Sequence, residues 1–200
     1  MNFTGERVVP DKMAIDPITY IEHLTRYVFS LFHCKDAKVL DASCGTGYGL
    51  EIISGVAREV SGIDISQDAL FYAVDYYRFS HRAPRFKIFN LEKDDFSKYP
   101  DFGRFDVITS FETIEHLSSP DFFLQNVFKA LRPGGTFIFS IPFWSATPYH
   151  KILYTLEGAQ CLLARHFKDV EWYGQTLNQI GPVTPTSRFF IGVAHKPDEK

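Results

Sequence analysis

The sequence predicts an α/β domain: a seven-stranded, mostly parallel sheet with an antiparallel edge strand and helices on both faces. Three observations predict it. Between residues 38 and 141, short runs rich in β-branched and aromatic residues alternate with helix-length amphipathic stretches. Strands separated by helices imply right-handed crossovers and parallel neighbours. A glycine-rich turn directly follows the first strand, at the carboxyl edge where open α/β sheets bind ligands. The last two strands have no helix between them, so they close antiparallel on the sheet.

The elements follow in order. Residues 17–32 have helical periodicity, with Asp16 as N-cap and Pro17 at the first helical position. Residues 38–42 form the first strand, and a helix spans 47–56. Residues 59–64 form the second strand, followed by a helix over 66–80 capped by Ser66. Strands at 85–89 and 105–110 come next, then a helix over 120–131. Pro133 ends that helix, and Gly134 and Gly135 turn the chain into a strand at 136–141. A helix over 155–166 precedes the closing strands at 169–173 and 188–195.

Composition narrows the function. With 45% hydrophobic and 22% charged residues over 200 positions, the chain is globular and large enough for one domain without staples. An aromatic content of 16% is high and serves the core first, an aromatic-lined pocket second. A net charge of -3 disfavours a nucleic-acid partner. No uncharged apolar run is long enough to span a membrane, and Met1–Arg7 lacks a basic-then-apolar pattern, so a cytoplasmic protein is expected. Cys34, Cys44 and Cys161 form neither a disulfide framework nor a zinc pattern.

The chemistry concentrates after the first strand, in Asp41-Ala42-Ser43-Cys44-Gly45-Thr46-Gly47-Tyr48-Gly49. Leu50 breaks the dinucleotide fingerprint and no Gly-Lys-Ser/Thr follows, so a diphosphate is disfavoured. Asp41 places a carboxylate near the turn, suited to an ammonium group. At the tip of the second strand, Asp64 can accept hydrogen bonds from both hydroxyls of a ribose. The plain alternative is that Asp64 caps the following helix.

These segments, together with Phe105-Asp106-Val107-Ile108, Phe111-Glu112-Thr113-Ile114-Glu115-His116-Leu117 and Leu131-Arg132-Pro133-Gly134-Gly135-Thr136, resemble in order the motifs of class I S-adenosylmethionine-dependent methyltransferases. The resemblance implies a Rossmann-like fold and S-adenosylmethionine as methyl donor. It implies one domain: residues 1–35 as a cap segment and helix, 36–142 as cofactor-binding core, and 143–200 as acceptor loop and closing strands. The implied cofactor contacts are Asp41, Ser43, Cys44, Gly45, Gly47, Asp64, Ile65, Phe111 and, after the third strand, Asn90 and Leu91. Ser43 stands where the family usually has Gly, a small-for-small change expected to be tolerated. Asn90 replaces a common acidic residue, with Glu92 and Asp94 as rivals. Arg26 is expected to pair with the cofactor carboxylate; a solvated helix face is the alternative.

The outer segments, Thr4-Gly5-Glu6-Arg7-Val8-Val9-Pro10, residues 20–27, Pro148-Tyr149-His150 and Gly174-Gln175, are similar to a subgroup that methylates surface polysaccharides. That likeness implies a sugar hydroxyl of a glycan or glycan precursor, such as a deoxyhexose of the rhamnose type, as acceptor. It leaves room for a larger multidomain protein. Phe143, Trp144 and Tyr149 follow the fifth strand, and aromatic faces there suit sugar rings; core packing is the rival use.

Glu112, Glu115, His116 and His150 are expected around the reacting hydroxyl. If 112–116 is helical, spacings of three and four put both carboxylates and the imidazole on one face. A sugar hydroxyl needs its proton taken. His116 or His150 then acts as general base, with Glu112 beside them, or the four residues hold a divalent metal such as Mg or Mn that acidifies the hydroxyl. Small-RNA 2'-O-methyltransferases carry a similar Glu-x-x-Glu-His with a later His. Other small molecules, RNA 2'-hydroxyls and a non-catalytic cofactor-binding module are the competing classes, the last separable by cofactor calorimetry.

Overall fold

The computed structural model describes Val9 and residues 17–77, 84–98, 104–143 and 147–198. At the centre of the sheet, β1 (Lys38–Ala42) pairs in parallel with β2 (Glu59–Asp64) and with β4 (Phe105–Ser110). Further out, β3 (Arg85–Ile88) joins β2, and β5 (Leu131–Pro142) joins β4, both in parallel. The far side is antiparallel. There β8 (Phe189–His195) lies between β5 and β6 (Asp169–Thr176), and β7 (Gln179–Gly181) completes a hairpin with β6. The resulting order is β3-β2-β1-β4-β5-β8-β6-β7.

Side-chain alternation along these strands divides the core in two. Leu40, Ile108, Phe137 and Phe139 face α4 (Pro120–Ala130) and α5 (Leu156–Leu163). Val39, Val107 and Ile138 face the other side, with Tyr27 of α1 (Pro17–Cys34), Leu50 and Ile53 of α2 (Tyr48–Ser54) and Leu70 of α3 (Gln67–Tyr77). Helices therefore cover both faces, and no helix among the described residues is long and apolar enough to cross a membrane.

The sheet has eight strands where the sequence predicts seven. The extra one, β7, is three residues long and follows a two-residue turn at Leu177 and Asn178. Leu177 sits at φ 55, a conformation usually announced by Asn or Gly in such hairpins, so leucine hides the signal. The Pro-Gly-Gly segment is a second correction. Strand β5 begins at Leu131, which already pairs with Phe105, and the register shifts before Val107. Gly134, at φ 70, lies in that irregularity, so the segment is a bulged strand start and not a separate turn.

Ser66 caps its helix as expected, its Oγ accepting from Ala69 N–H at 3.3 Å, and Thr155 supplies a cap the sequence reading did not name, its side chain accepting from Gly158 N–H at 3.1 Å. Asp16 and the end of the helix expected over 66–80 fall outside the described residues, as do Trp144 and all of residues 4–10 except Val9.

Candidate functional site

A cavity of about 540 Å³ opens at the carboxyl ends of the parallel strands, where the loops after β1, β2, β3, β4 and β5 meet α1. The loop after β1 forms its floor. Ser43, Gly45 and Gly47 have φ of 77, 54 and 78, so the backbone turns three times through the left-handed region before α2 begins. The N–H groups of Ser43 and Cys44 donate to Ile63 O at 2.8 and 2.9 Å, pinning the turn to the end of β2. A side chain at Gly45 would meet nothing within 4 Å, so backbone conformation and not space calls for glycine there.

Asp64 closes this turn from the next strand. Its Oδ2 accepts from Gly45 N–H at 2.9 Å and its Oδ1 from Ser66 N–H at 2.8 Å, and the carboxylate lines the cavity. A carboxylate oxygen accepts more than one bond, so the backbone donors orient Asp64 without exhausting it. Ile65, Asn90 and Leu91 line the same end. Of the rivals to Asn90, Asp94 is turned back to accept from Asn90 N–H at 2.7 Å. Glu92 lines the cavity but is bridged to Ser118 and Lys151.

Two expected contacts lie behind the wall. Asp41 is fully buried and is not a lining residue; Tyr27 and Thr109 hydroxyls donate to its two oxygens, each at 2.9 Å. Burial pushes its carboxyl up to about 7, against those two hydrogen bonds. Arg26 is also fully buried and outside the lining, so it is neither on a solvated face nor against the cavity. Its guanidinium lies 4.4 Å from the Phe189 ring centre, donates to Gln175 Oε1 at 3.1 Å and stands 3.8 Å from Glu112. Arg26 therefore reaches the cavity only through Glu112.

The segment after β4 departs from the expected helix face. Only Ile114–His116 forms a short 3-10 turn, and Glu112 precedes it at φ 52. Glu112 is instead clasped by β5: its N–H donates to Ser140 Oγ at 2.9 Å, and that hydroxyl donates back to the Glu112 carboxylate at 2.6 Å. Glu112 lines the cavity but is outside the cluster that Glu115, His116 and His150 form, with one ligand atom from each within 4.8 Å of the others. The four-residue set expected from the sequence is thus three.

Within the cluster, Glu115 is 1% exposed and neither carboxylate oxygen has a hydrogen-bond partner among the described residues. Burial and then the neighbouring Glu112 charge hold its carboxyl well above the usual range. His116 Nδ1 is 3.1 Å from the Tyr149 carbonyl, which can only accept. In the neutral ring Nδ1 is then the donor, and Nε2, 3.8 Å from Glu115, is left as the acceptor. The His150 ring lies 4.9 Å from that of His116. Tyr149 is half exposed at the rim, whereas Phe143 is partly buried and packs edge-on to Phe190 at 5.1 Å.

Sequence reasoning names the first helix as a cap but misses the residues by which α1 lines the cavity. His23 and Tyr27 line the cavity with Tyr48, and His23 Nδ1 meets Tyr48 Oη at 2.7 Å. The signal was available: Tyr20, His23 and Tyr27 recur at three and four residues, a helix face.

Comparison with known proteins agrees with this geometry. A profile described as a methyltransferase domain matches residues 18–181. A probable S-adenosylmethionine-dependent methyltransferase of Mycolicibacterium smegmatis is 31% identical over 140 residues, covering 70% of this chain and 51% of the relative. A ubiquinone biosynthesis O-methyltransferase of Thiobacillus denitrificans is 34% identical over 126 residues, covering 63% and 52%. The chain spans about half the length of these curated relatives. Among solved structures, N-methyltransferase NodS from Bradyrhizobium japonicum in complex with S-adenosyl-L-homocysteine superposes with TM-score 0.70 at 17% identity, covering 97% of this chain and 95% of that one, a likeness of fold.

Proposed function

The chain belongs to the class I S-adenosylmethionine-dependent methyltransferases, and from that premise we propose that it methylates a hydroxyl oxygen of an acceptor seated between Tyr149, His116 and His150. One observation carries this reading: His116 and His150, the two imidazoles clustered on the buried Glu115, line the same cavity as Gly45 and Asp64.

The lining fits the donor. Asp64 suits the ribose hydroxyls, Asn90 and Leu91 the adenine, and the left-handed turn brings the backbone of Ser43, Cys44 and Gly45 to the cavity. When bound, S-adenosylmethionine supplies an electrophilic methyl group. The residues of the chain hold the acceptor oxygen in line and receive its proton. His116 Nε2 is the atom we assign to that proton. In a metal-assisted version of the reading, Glu115, His116 and His150 hold a divalent ion that lowers the hydroxyl pKa. Two imidazoles with one carboxylate shift the preference from Mg toward Mn or Zn.

We favour a sugar hydroxyl of a glycan or glycan precursor. The similarity of Pro148-Tyr149-His150 and Gly174-Gln175 to polysaccharide methyltransferases and the exposed Tyr149 ring at the rim support it. A phenolic hydroxyl is the second reading, favoured by relatives named ubiquinone biosynthesis O-methyltransferases. Product mass after incubation with methyl-labelled donor and a panel of deoxyhexose glycans, phenols and RNA separates them. Methylated sugar is expected; transfer to RNA or protein with no turnover on any sugar or phenol would overturn the proposal.

A further inference from the structure

We infer that Lys151 is a positioning residue for the acceptor side of the site: its ammonium straps the loop that carries Tyr149 and His150 to Glu92 and Ser118. The inference rests on the acceptor reading above and deepens it. Tyr149, His150 and Glu92 line the cavity, whereas Lys151 and Ser118 do not. Lys151 therefore acts through its neighbours.

The strap joins the segments that follow three adjacent parts of the parallel sheet. Glu92 follows β3, Ser118 follows β4 and Lys151 follows β5. Lys151 Nζ donates to Ser118 Oγ at 2.8 Å and stands 3.4 and 3.3 Å from the two Glu92 carboxylate oxygens, so its three hydrogens meet three acceptors. The Ser118 N–H also donates to Glu92 Oε1. That bond is the main influence holding the Glu92 carboxyl below its ordinary pKa, ahead of the bonds from the Ser118 side chain and Lys151. Glu92 is thus charged and oriented to receive the ammonium.

Main-chain bonds attach the same loop to the imidazole cluster. The N–H groups of Lys151 and Ile152 donate to Glu115 O at 2.8 and 3.2 Å, and Tyr149 O faces His116 Nδ1 at 3.1 Å. The N–H groups of Tyr149 and His150 bond within the loop, to Thr147. The Lys151 side chain adds a link to the segment after β3, which these main-chain bonds do not reach. Both charged partners are partly exposed, Lys151 at 46% and Glu92 at 29%. Such a pair contributes little to global stability, so its loss loosens the loop and leaves the sheet folded.

Amide hydrogen exchange on the full chain, read by mass spectrometry, tests the strap without any ligand. In Lys151→Met the peptide spanning residues 147–154 is expected to exchange about three- to fivefold faster, with the peptides of β1 and β4 unchanged. Lys151→Arg is expected to restore protection. Glu92→Gln is expected to lose it, with no further loss when combined with Lys151→Met. Unchanged exchange in Lys151→Met, or additive losses in the double variant, would overturn the inference. A methyl rhamnoside as acceptor probe gives the second readout. Its KM is expected to rise about three- to fivefold in Lys151→Met, while affinity for S-adenosylmethionine by calorimetry stays within about twofold of wild type. Equal weakening of donor and acceptor would contradict a positioning role on the acceptor side. No transfer to the rhamnoside by wild type would count against the sugar reading alone, and the exchange result then decides the strap.

Discussion

The Tyr27 hydroxyl donates to Asp41 Oδ2 at 2.9 Å, tying the middle of α1 to the end of β1 beneath the cavity. Because burial is the dominant influence on Asp41, its carboxyl rises from 3.8 to about 7. The unfolded chain releases this proton near 3.8, whereas the folded chain keeps it to about 7. Over that window the native state binds more protons, so stability falls as pH rises and levels off above about 7. Asp41→Asn removes the titration. Relative to wild type the variant is expected to gain stability from pH 4 to pH 7, by on the order of 4 kcal/mol, measured by urea unfolding at each pH. A difference independent of pH would place the pKa elsewhere.

Ser43 holds φ 77 where only glycine is comfortable. Ser43→Gly is therefore expected to stabilise the fold by about 1 kcal/mol, read as a higher melting temperature, with cofactor affinity kept. The small-for-small expectation weighs side-chain size and leaves out the backbone: size is legible in a sequence, whereas a positive φ shows itself only as glycine in relatives.

The same distinction runs through the fold. The parallel half was legible because alternation and turn chemistry agree at each step, as in Val39-Leu40-Asp41-Ala42 leading into the glycine turn. Strand β7 was not, because Leu177 occupies a turn position that normally advertises itself. In the site, Asp64, Ile65, Asn90 and Leu91 lie on the wall because strand ends fix them. Arg26 and Asp41 lie buried behind that wall, since spacing gives a residue's element and not the depth of its side chain. Glu112 stays outside the cluster because it is itself left-handed, two residues past β4, and Ser140 captures its carboxylate.

Gly49 faces α1 so closely that an added Cβ would stand 2.0 Å from the Tyr27 ring. Gly49→Ala gains helix propensity but must displace that ring and its bond to Asp41. We expect a net loss of about 1–3 kcal/mol together with weaker cofactor binding, both measurable on one purified variant by melting and calorimetry. A stabilised Gly49→Ala protein would contradict the packing of α1 described here.

The buried Glu115 carboxylate beside His116 and His150 sets up a further test. With a resident metal, prolonged chelation abolishes turnover and Mn restores it, and Glu115→Gln loses activity about 10- to 100-fold. With His116 acting alone as base, chelation leaves turnover intact and His116→Ala lowers it about 100-fold or more. Near-normal turnover in both His116→Ala and His150→Ala would remove this cluster from the chemistry.

The most direct measurement is calorimetric titration of the chain with S-adenosylmethionine, wild type against Asp64→Ala. Asp64 is oriented by the N–H groups of Gly45 and Ser66 and lines the cavity, and charge-assisted bonds to the ribose are worth about 2–3 kcal/mol. One-to-one binding by wild type with a loss of tens-fold or more in the variant is expected. Unchanged affinity in Asp64→Ala, with the variant folded, would contradict the placement of the methyl donor in this cavity.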